Sequence, residues 1–389
     1  MIIGASITGL STAIALKQKG FDVTIYERHE SEQTIGAGVV LWSNASYVLD
    51  KLGLLKDIEK VSSEPQKMQR YSNRGESLGT LNIELINKEI GFKSYSILRK
   101  AFQKILIDRL DALGVEIHYG YEAIDIISDA DEASVVFENG ENIRATIVVG
   151  ADGRMNSTVR RYVLGDNKPV YQSFINWIGV YKSEEAMFPT MDISDYWGVG
   201  ERFGIVPIDA YTCYWAGGMH SSNITTKEPS HYKDELMHIF QDYPPIISEM
   251  INNTALKSIN KIYLHDHEPN SRWHKDNVIM LGDAAHAALP TSGQGSAQAL
   301  EDAWHFANIL FEHFKHSSKI ELAFQEFTQL RYEKTKDICH AGRGLAKSIF
   351  NTDAHYCQGR NEESKKSNFD ELAMGMAKVW RRGLFMYYS

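Results

Sequence analysis

Cysteine is nearly missing from this chain: Cys213, Cys339 and Cys357 are the three among 389 residues. No CxxC pair and no zinc-like spacing joins them. Neither a disulfide framework nor a thiolate metal centre is therefore expected, and the thiols read as reduced and non-catalytic in a cytoplasmic protein. Positive charge is short as well. Lys and Arg number 41 against 50 Asp and Glu, a net charge of −9, which speaks against a nucleic-acid or anionic-membrane surface. No apolar run approaches the roughly 18 residues of a membrane span. No leader of the secretory kind opens the chain, and no internal repeat or low-complexity tract runs through it.

What is present is the composition of a globular protein with a rich aromatic share, 19 Tyr and 7 Trp. That suits a site for a flat ligand as well as a large core. The length exceeds one ordinary core and predicts two closely packed domains. The opening stretch, IIGASITGLSTAIALKQKGFDVTIYERHE (Ile2 to Glu30), is nearly a dinucleotide-binding G-x-G-x-x-G fingerprint. Gly4 and Gly9 hold its outer positions and Ser6 its middle one. Met1 to Ile3 predict a short first strand, Leu10 to Gly20 a helix, and Phe21 to Tyr26 a second strand closing on Glu27. The helix start offers free amides and a positive dipole end to a pyrophosphate. Glu27 stands where a carboxylate accepts from ribose hydroxyls.

A glycine-rich loop at Gly36 and Gly38 then leads into a helix near Asn44 to Leu54. Tyr71 to Ile90 read as strands, and Leu98 to Leu113 as an amphipathic helix carrying Arg99. Further strands are expected at Gly114 to Tyr119, Ala123 to Ser128, Ser134 to Glu138 and Arg144 to Val149. From Val170 to His267 aromatic, alternating runs predict an antiparallel sheet with a helix near Tyr232 to Phe240. Asn277 to Leu281 resume a parallel strand and a long helix starts near Gly295. From Ile320 onward the chain reads as helical, with a polar break at Gly359 to Ser367. The fold class is thus α/β. A Rossmann-like nucleotide-binding domain is split into 1–70, 98–169 and 268–342, with an inserted antiparallel β-sheet domain at 71–97 and 170–267 and a helical C-terminus at 343–389.

Two further motifs sit at strand ends. In VVGADGRMNSTVRRYVLG (Val148 to Gly165) a strand ends at Asp152, with Ser157 and Arg160 at helical spacing after it. An Asp-Gly turn before a capped helix explains this stretch as well as a site does. In NVIMLGDAAHAALPTSGQGSAQALEDAWHFANIL (Asn277 to Leu310) a buried strand ends at Asp283, and GQG opens a helix rich in small residues. A carboxylate there can hold a ribitol hydroxyl, amides at the helix start can face the electron-rich edge of a flat ring, and small residues let backbone approach it. His286 reads as structural. His265 and His267 lack the further ligands a metal site needs.

The three motifs in this order, with Arg99 between the first two, resemble the class A FAD-dependent aromatic hydroxylases of the para-hydroxybenzoate hydroxylase fold, over about Gly4 to Gly342. VLG (Val163 to Gly165), INW (Ile175 to Trp177), GERFGIVPI (Gly200 to Ile208) and HDHEP (His265 to Pro269) make the middle block most similar to the FAD-dependent urate hydroxylases and salicylate hydroxylase-like monooxygenases. The resemblance implies that Gly4, Ser6, Gly9, Glu27, Arg28 and Val40 lie along the ADP half of FAD, with Arg99 at the pyrophosphate and Ala123 at the adenine. It implies Asp283 at the ribitol and pyrophosphate, and Gly293, Gln294, Gly295, Ser296 and Ala297 along the isoalloxazine. Asp152 would serve both FAD and a transient NADH or NADPH donor, for which no second fingerprint exists.

Asn176, Arg202 and Tyr214 match polar substrate-contacting positions of the urate group, and the resemblance makes Arg202 and Tyr214 catalytic. From the residues alone, Arg202 interrupts an apolar strand and must find an anion or carbonyl; a structural ion pair satisfies that demand equally. Thr291 replaces the acidic residue that follows the proline in the urate group, which puts urate itself in doubt. The implied reaction is oxygen transfer from dioxygen, through a flavin C4a-hydroperoxide, to a small planar aromatic or heteroaromatic ring, in a monomer or homodimer with no nucleic-acid partner and no metal. A tetracycline-type drug-modifying monooxygenase and an epoxidase or reductase of the same fold are the alternatives. A halogenase would carry a WxWxIP-type motif, which the sequence lacks.

Overall fold

The computed structural model describes residues 1–32, 37–129, 132–225 and 228–386. Strands β1 (Ile2–Ile3), β2 (Ile25–Glu27), β7 (Ile117–Tyr119), β11 (Val148–Gly150), β17 (His274–Lys275) and β18 (Val278–Met280) form a six-stranded sheet in the order β17-β18-β11-β1-β2-β7. All its pairings are parallel except β17 with β18. Every residue of β1, β11 and β18 is buried, as expected of strands covered on both faces. The helix Ile7–Gln18 crosses from β1 towards β2, and its residues Ile7 to Leu16 are all buried.

Second-strand pairing stops short of expectation. Phe21 to Thr24 stay irregular and only Ile25 to Glu27 join the sheet. A strand extends only as far as its neighbours, and β1 offers two residues and β7 three. Arg144 to Val149, expected as one strand, splits between sheets: β10 (Asn142–Ala145) pairs with β9 (Ala133–Phe137), itself beside β8 (Ala123–Ser128), whereas β11 lies in the parallel sheet. Gly36 lies outside the described residues. Gly38 opens β3 (Gly38–Leu41), which pairs with β6 (Tyr95–Leu98).

The second large sheet has seven strands. They are β4 (Lys67–Ser72), β5 (Ser77–Asn82), β12 (Val170–Lys182), β13 (Ile193–Trp197), β14 (Glu201–Pro207), β15 (Thr212–His220) and β16 (Asn260–Asp266), in the order β16-β12-β15-β14-β13-β4-β5. On one face Ile175, Trp177, Phe203, Ile205 and Trp215 form a core with Leu236, Ile247 and Met250 of the helices Tyr232–Ile239 and Pro245–Asn253. The opposite face carries the alternate residues and turns towards the parallel sheet: Val206 belongs to the core of β1 and β11, with Tyr214 packed against it.

Two element expectations fail for identifiable reasons. Ile83–Ile90, read as strand, is a helix. Asn82 caps it by accepting from the Glu84 amide at 3.1 Å, Ile83, Ile86 and Ile90 form one buried stripe, and Gly91 ends it with φ 88°. The polar break placed at Gly359 to Ser367 falls mostly inside the helix Ala354–Lys366. A mid-helix glycine costs about 1 kcal/mol. The cap of Asp353, accepting from His355 and Tyr356, and the burial of Cys357, Arg360 and Ser364 outweigh that. The true interruptions are at 350–353 and 367–368, between Ile320–Ile349, Ala354–Lys366 and Phe369–Arg381.

Candidate functional site

At the carboxyl ends of β1, β2 and β11 lies a cleft of ≈ 260 Å³ lined by Gly4, Ser6, Glu27, Arg28, Arg99, Ala123 and Asp152 among others. Such crevices at strand ends are where α/β sheets bind nucleotides. Gly4 has φ 103°, and a Cβ there would lie 2.4 Å from the Ala151 carbonyl oxygen. Gly9 is not part of the lining. A Cβ on it would fall 1.9 Å from the Gly4 oxygen, so this glycine lets the helix press onto its own turn. The Ser6 hydroxyl donates to the Ala151 oxygen at 3.1 Å and caps the helix through a long 3.5 Å bond from the Gly9 amide. Its side chain is therefore engaged by protein groups, and the backbone is what it offers a phosphate.

Glu27 is fixed where ribose hydroxyls are expected. One oxygen accepts from the Ala5 amide at 2.7 Å, the other from the His29 amide at 3.1 Å, with His29 Nδ1 2.5 Å away. Arg99 begins the helix Arg99–Ala112. Burial pulls its guanidinium below the usual value, and Asp283 acts against that. The Ala123 carbonyl already takes the Thr158 hydroxyl at 2.7 Å. Asp152 accepts from the Ser157 hydroxyl at 2.7 Å and the Val159 amide at 3.1 Å. Its carboxylate is thus directed into the start of the helix Thr158–Leu164. Burial raises its pKa despite those bonds. Val40 is on β3, opposite Ser96, outside the cleft lining.

The third motif lies beyond Arg99. Gly282, at φ 56° and ψ −135°, precedes the short helix Asp283–His286, and a Cβ there would meet Thr8 Oγ1 at 2.2 Å. Burial opposes the charge of Asp283, yet Arg154 Nη2 at 2.6 Å holds its carboxyl below the usual range, helped by His286 and Arg99. Arg154 also donates to the carbonyls of His265 and Ala288, and Arg160 to that of Ala284. The second motif therefore braces the third. Gly293, at φ 65°, ends the Pro290–Ser292 turn, and Gly295–Lys315 is a helix with no side-chain cap and no acidic residue in its first turn. The amides of Gly295, Ser296 and Ala297 keep their donor capacity. A Cβ on Gly295 would meet open space.

Gln294 departs from expectation. Its side chain is fully buried, accepting from Asn44 at 2.9 Å and Gln298 at 3.0 Å, so only its backbone borders the site. The loop rests on a charged cluster that sequence reasoning missed. Glu301 accepts from Asn44, Arg331 and Lys334, and Asp302 from Arg331, the Gly282 amide and His286. Trp42 Nε1 donates to the Gly293 carbonyl at 2.8 Å. The turn at Gly282 and the loop at Gly293 are thereby tied to one buried base.

The three expected substrate residues lie on the seven-stranded sheet, on the face turned to that loop. Arg202, Gly218 and Asn176 form one cross-strand row, and Gly204, Ala216 and Ile178 the row beside it. Neighbouring strands are about 4.8 Å apart, so Arg202 and Asn176 stand roughly 10 Å apart across Gly218, which is buried under Asn176 Oδ1 and the Phe350 ring; the open dent is the row beside it, with Gly204 and Ala216 as its floor. A Cβ on Gly204 would meet nothing nearer than 3.9 Å. Two rows away, the Tyr214 ring rests on Gly38, where a Cβ would fall 2.1 Å from the ring. Among the described residues neither the Asn176 amide nor the Tyr214 hydroxyl has a hydrogen-bond partner, and Arg202 uses only Nε, on Asp195 at 2.6 Å. Burial pushes the Tyr214 phenol well above its ordinary pKa, with Arg202 pulling weakly the other way. Small residues interrupting aromatic strands, RFGIVPI and YWAGGM, were the signal for the floor. Leu289, just before the Pro290 turn, packs with Phe174 and Trp197 of this sheet, which sets the Gly293 loop against the dent.

Comparison with known proteins agrees with this fold. The family described as FAD binding domain matches residues 1–325. The chain is 27% identical over 379 residues to the FAD-dependent urate hydroxylase of Mycolicibacterium vanbaalenii, covering 93% of each protein. It is 26% identical to the 6-hydroxynicotinate 3-monooxygenase of Pseudomonas fluorescens, covering 92% of this chain and 94% of that one. The crystal structure of Klebsiella pneumoniae HpxO complexed with FAD and uric acid is similar at a TM-score of 0.88 and 26% identity, over 97% of this chain and 96% of the other.

Proposed function

The chain belongs to the FAD binding domain family and is an oxidoreductase of the flavoprotein monooxygenase kind, and from that premise we propose that it hydroxylates a small planar heteroaromatic or aromatic ring with dioxygen and NADH or NADPH. The observation that carries this reading is the dent over Gly204 and Ala216, bordered by the unspent polar groups of Asn176, Arg202 and Tyr214 and set against the Gly293–Ala297 loop.

When bound, FAD supplies reduction by a nicotinamide donor and activation of dioxygen towards an electron-rich carbon. The cleft fits its adenosine half, since Gly4 and Gly9 admit the close turn and Glu27 is already oriented by the Ala5 amide. Glu27 would hold the ribose, Arg99 the pyrophosphate and Asp283 the ribitol. The uncapped amides of Gly295, Ser296 and Ala297 would face the electron-rich edge of the ring system. On the opposite wall Arg202 would bind an oxyanion or carbonyl and Asn176 a ring N–H or oxygen. Tyr214, a phenol whose pKa burial raises still further above neutrality, would donate a hydrogen bond rather than accept a proton. With a ring bound, the sheet would shield the reacting face from water.

The test is a panel of urate, salicylate, 4-hydroxybenzoate, 6-hydroxynicotinate, a hydroxyquinolone and a tetracycline, offered to the FAD-loaded protein with NADH and NADPH. At least one small ring should accelerate nicotinamide oxidation, and the tetracycline should not, because the dent is about two strand spacings wide. Arg202→Ala should raise KM for the active ring by about 10- to 100-fold, as expected for a lost charged hydrogen bond. No acceleration by any of the small rings would defeat the reading, and an unchanged KM would remove Arg202 from the site.

A further inference from the structure

Asp195 stands out on the substrate face because it serves nothing else described so far. It is 3% exposed, on β13, diagonal to Arg202 on β14. One carboxylate oxygen takes Arg202 Nε at 2.6 Å and the other takes the Trp197 indole N–H at 2.8 Å. Both oxygens are thus pinned, and the indole is itself pinned. Its ring is approached by the guanidinium groups of Arg70, 3.9 Å from the centroid, and Arg360, 5.2 Å away. Arg360 in turn donates to the carbonyls of Ser348 and Gly198, and Arg70 to the Ser364 hydroxyl.

An arginine side chain on a half-open surface samples many rotamers, and fixing it there loses entropy. Pairing through Nε removes most of that freedom and leaves the two terminal nitrogens as a fork. The fork keeps four N–H donors for a planar acceptor. Asp195 lies in the same cross-strand row as Gly204 and Ala216, the floor, and Arg202 in the row beside it. Three guanidinium groups gather around one carboxylate, so the wall retains surplus positive charge.

We infer that Asp195 is a positioning residue: through Nε it aims the free fork of Arg202 across the Gly204–Ala216 floor and makes this wall selective for a planar ring carrying an anionic oxygen pair. The inference rests on the monooxygenase reading for the identity of the site, yet its test does not depend on turnover.

FAD-loaded protein is titrated calorimetrically with 6-hydroxynicotinate, salicylate and the neutral 6-hydroxynicotinamide. The wild type should bind at least one of the anions. Asp195→Asn keeps shape and an acceptor for Trp197 but loses the charge that orients Nε, and should weaken anion binding about tenfold or more. Binding of the neutral amide and the affinity for FAD should change less than about twofold. Asp195→Glu should restore part of the loss. The double variant with Arg202→Ala should bind no worse than Arg202→Ala alone, because Asp195 acts only through that side chain. Gly204→Val, which fills the floor, should abolish ring binding and spare FAD. Anion binding unchanged in Asp195→Asn, losses that add in the double variant, parallel loss of FAD, or no anion bound by the wild type would each overturn the inference. Failure of the protein to take up FAD at all would instead sink the monooxygenase reading.

Discussion

At the scale of single residues the site is decided by who already holds each polar atom. Ser6, the irregular member of the opening fingerprint, spends its hydroxyl on Ala151 and on the helix start. Ser6→Gly should therefore leave FAD affinity within about threefold and lower stability by roughly 1 kcal/mol, the sum of a weakened cap and one hydrogen bond. A flavin titration beside a urea melt separates the two, and a large loss of FAD affinity would mean the hydroxyl reaches the phosphate. Glu27→Gln should weaken FAD by about tenfold or more in the same titration, since in the proposed placement the carboxylate would accept from ribose hydroxyls as well as from the Ala5 amide; an unchanged affinity would place the ribose elsewhere. Gly4, Glu27 and Asp283, the cofactor contacts expected from sequence, belong to short-range motifs. The bracing role of Arg154 and the buried side chain of Gln294 were not legible in the sequence, because the bond of Arg154 to Asp283 spans 129 positions and that of Asn44 to Gln294 spans 250.

Whole elements answer to neighbours as much as to their own pattern. Ile83–Ile90 became a helix because an Asn82 cap and a Gly91 stop bracket a 3.6-residue apolar stripe, and an alternating reading of LNIELI hid it. Helix pairing also explains the strongest buried electrostatics. Lys334, 2% exposed, reaches Glu301 at 2.8 Å and the Trp380 carbonyl. Lys334→Met should cost about 3 kcal/mol in urea unfolding, moderated by Arg331, which still pairs with Glu301; an unchanged midpoint would show the pair contributes nothing. Strand β14 supplies a pH signature. Burial lifts the Glu201 carboxyl to about 7, against the Tyr243 hydroxyl beside it. An acid with a raised folded pKa binds protons more tightly when folded, so stability is lost as pH climbs from the unfolded value near 4.5 through 7. Glu201→Gln should stabilise the protein at pH 8, by on the order of 1 kcal/mol, and do little at pH 4.5. Equal effects at both pH values would contradict the raised pKa.

Across the whole molecule the fold brings two independently legible halves together. The parallel sheet announces itself through apolar strands ending in glycine and carboxylate, and the aromatic alternation of 170–220 announces the second sheet. What no periodicity reveals is register. The dent exists because β12, β14 and β15 align Asn176, Gly218 and Arg202 in one row and Ala216 and Gly204 in the next. A slip of one residue would turn every one of these side chains to the opposite face. Substrate size is therefore a property of the assembled sheet, whereas the cofactor cleft is a property of local turns.

In the proposed function the two halves cooperate to insert one atom of dioxygen into a small ring lying between them. The most direct measurement supplies the FAD-loaded protein with oxygen-18 gas, NADH or NADPH, and the panel ring that most accelerates nicotinamide oxidation, and records the mass of the product. One oxygen-18 atom on the ring is the result predicted. Nicotinamide consumed with all of the labelled oxygen recovered as hydrogen peroxide and the ring unchanged would contradict it.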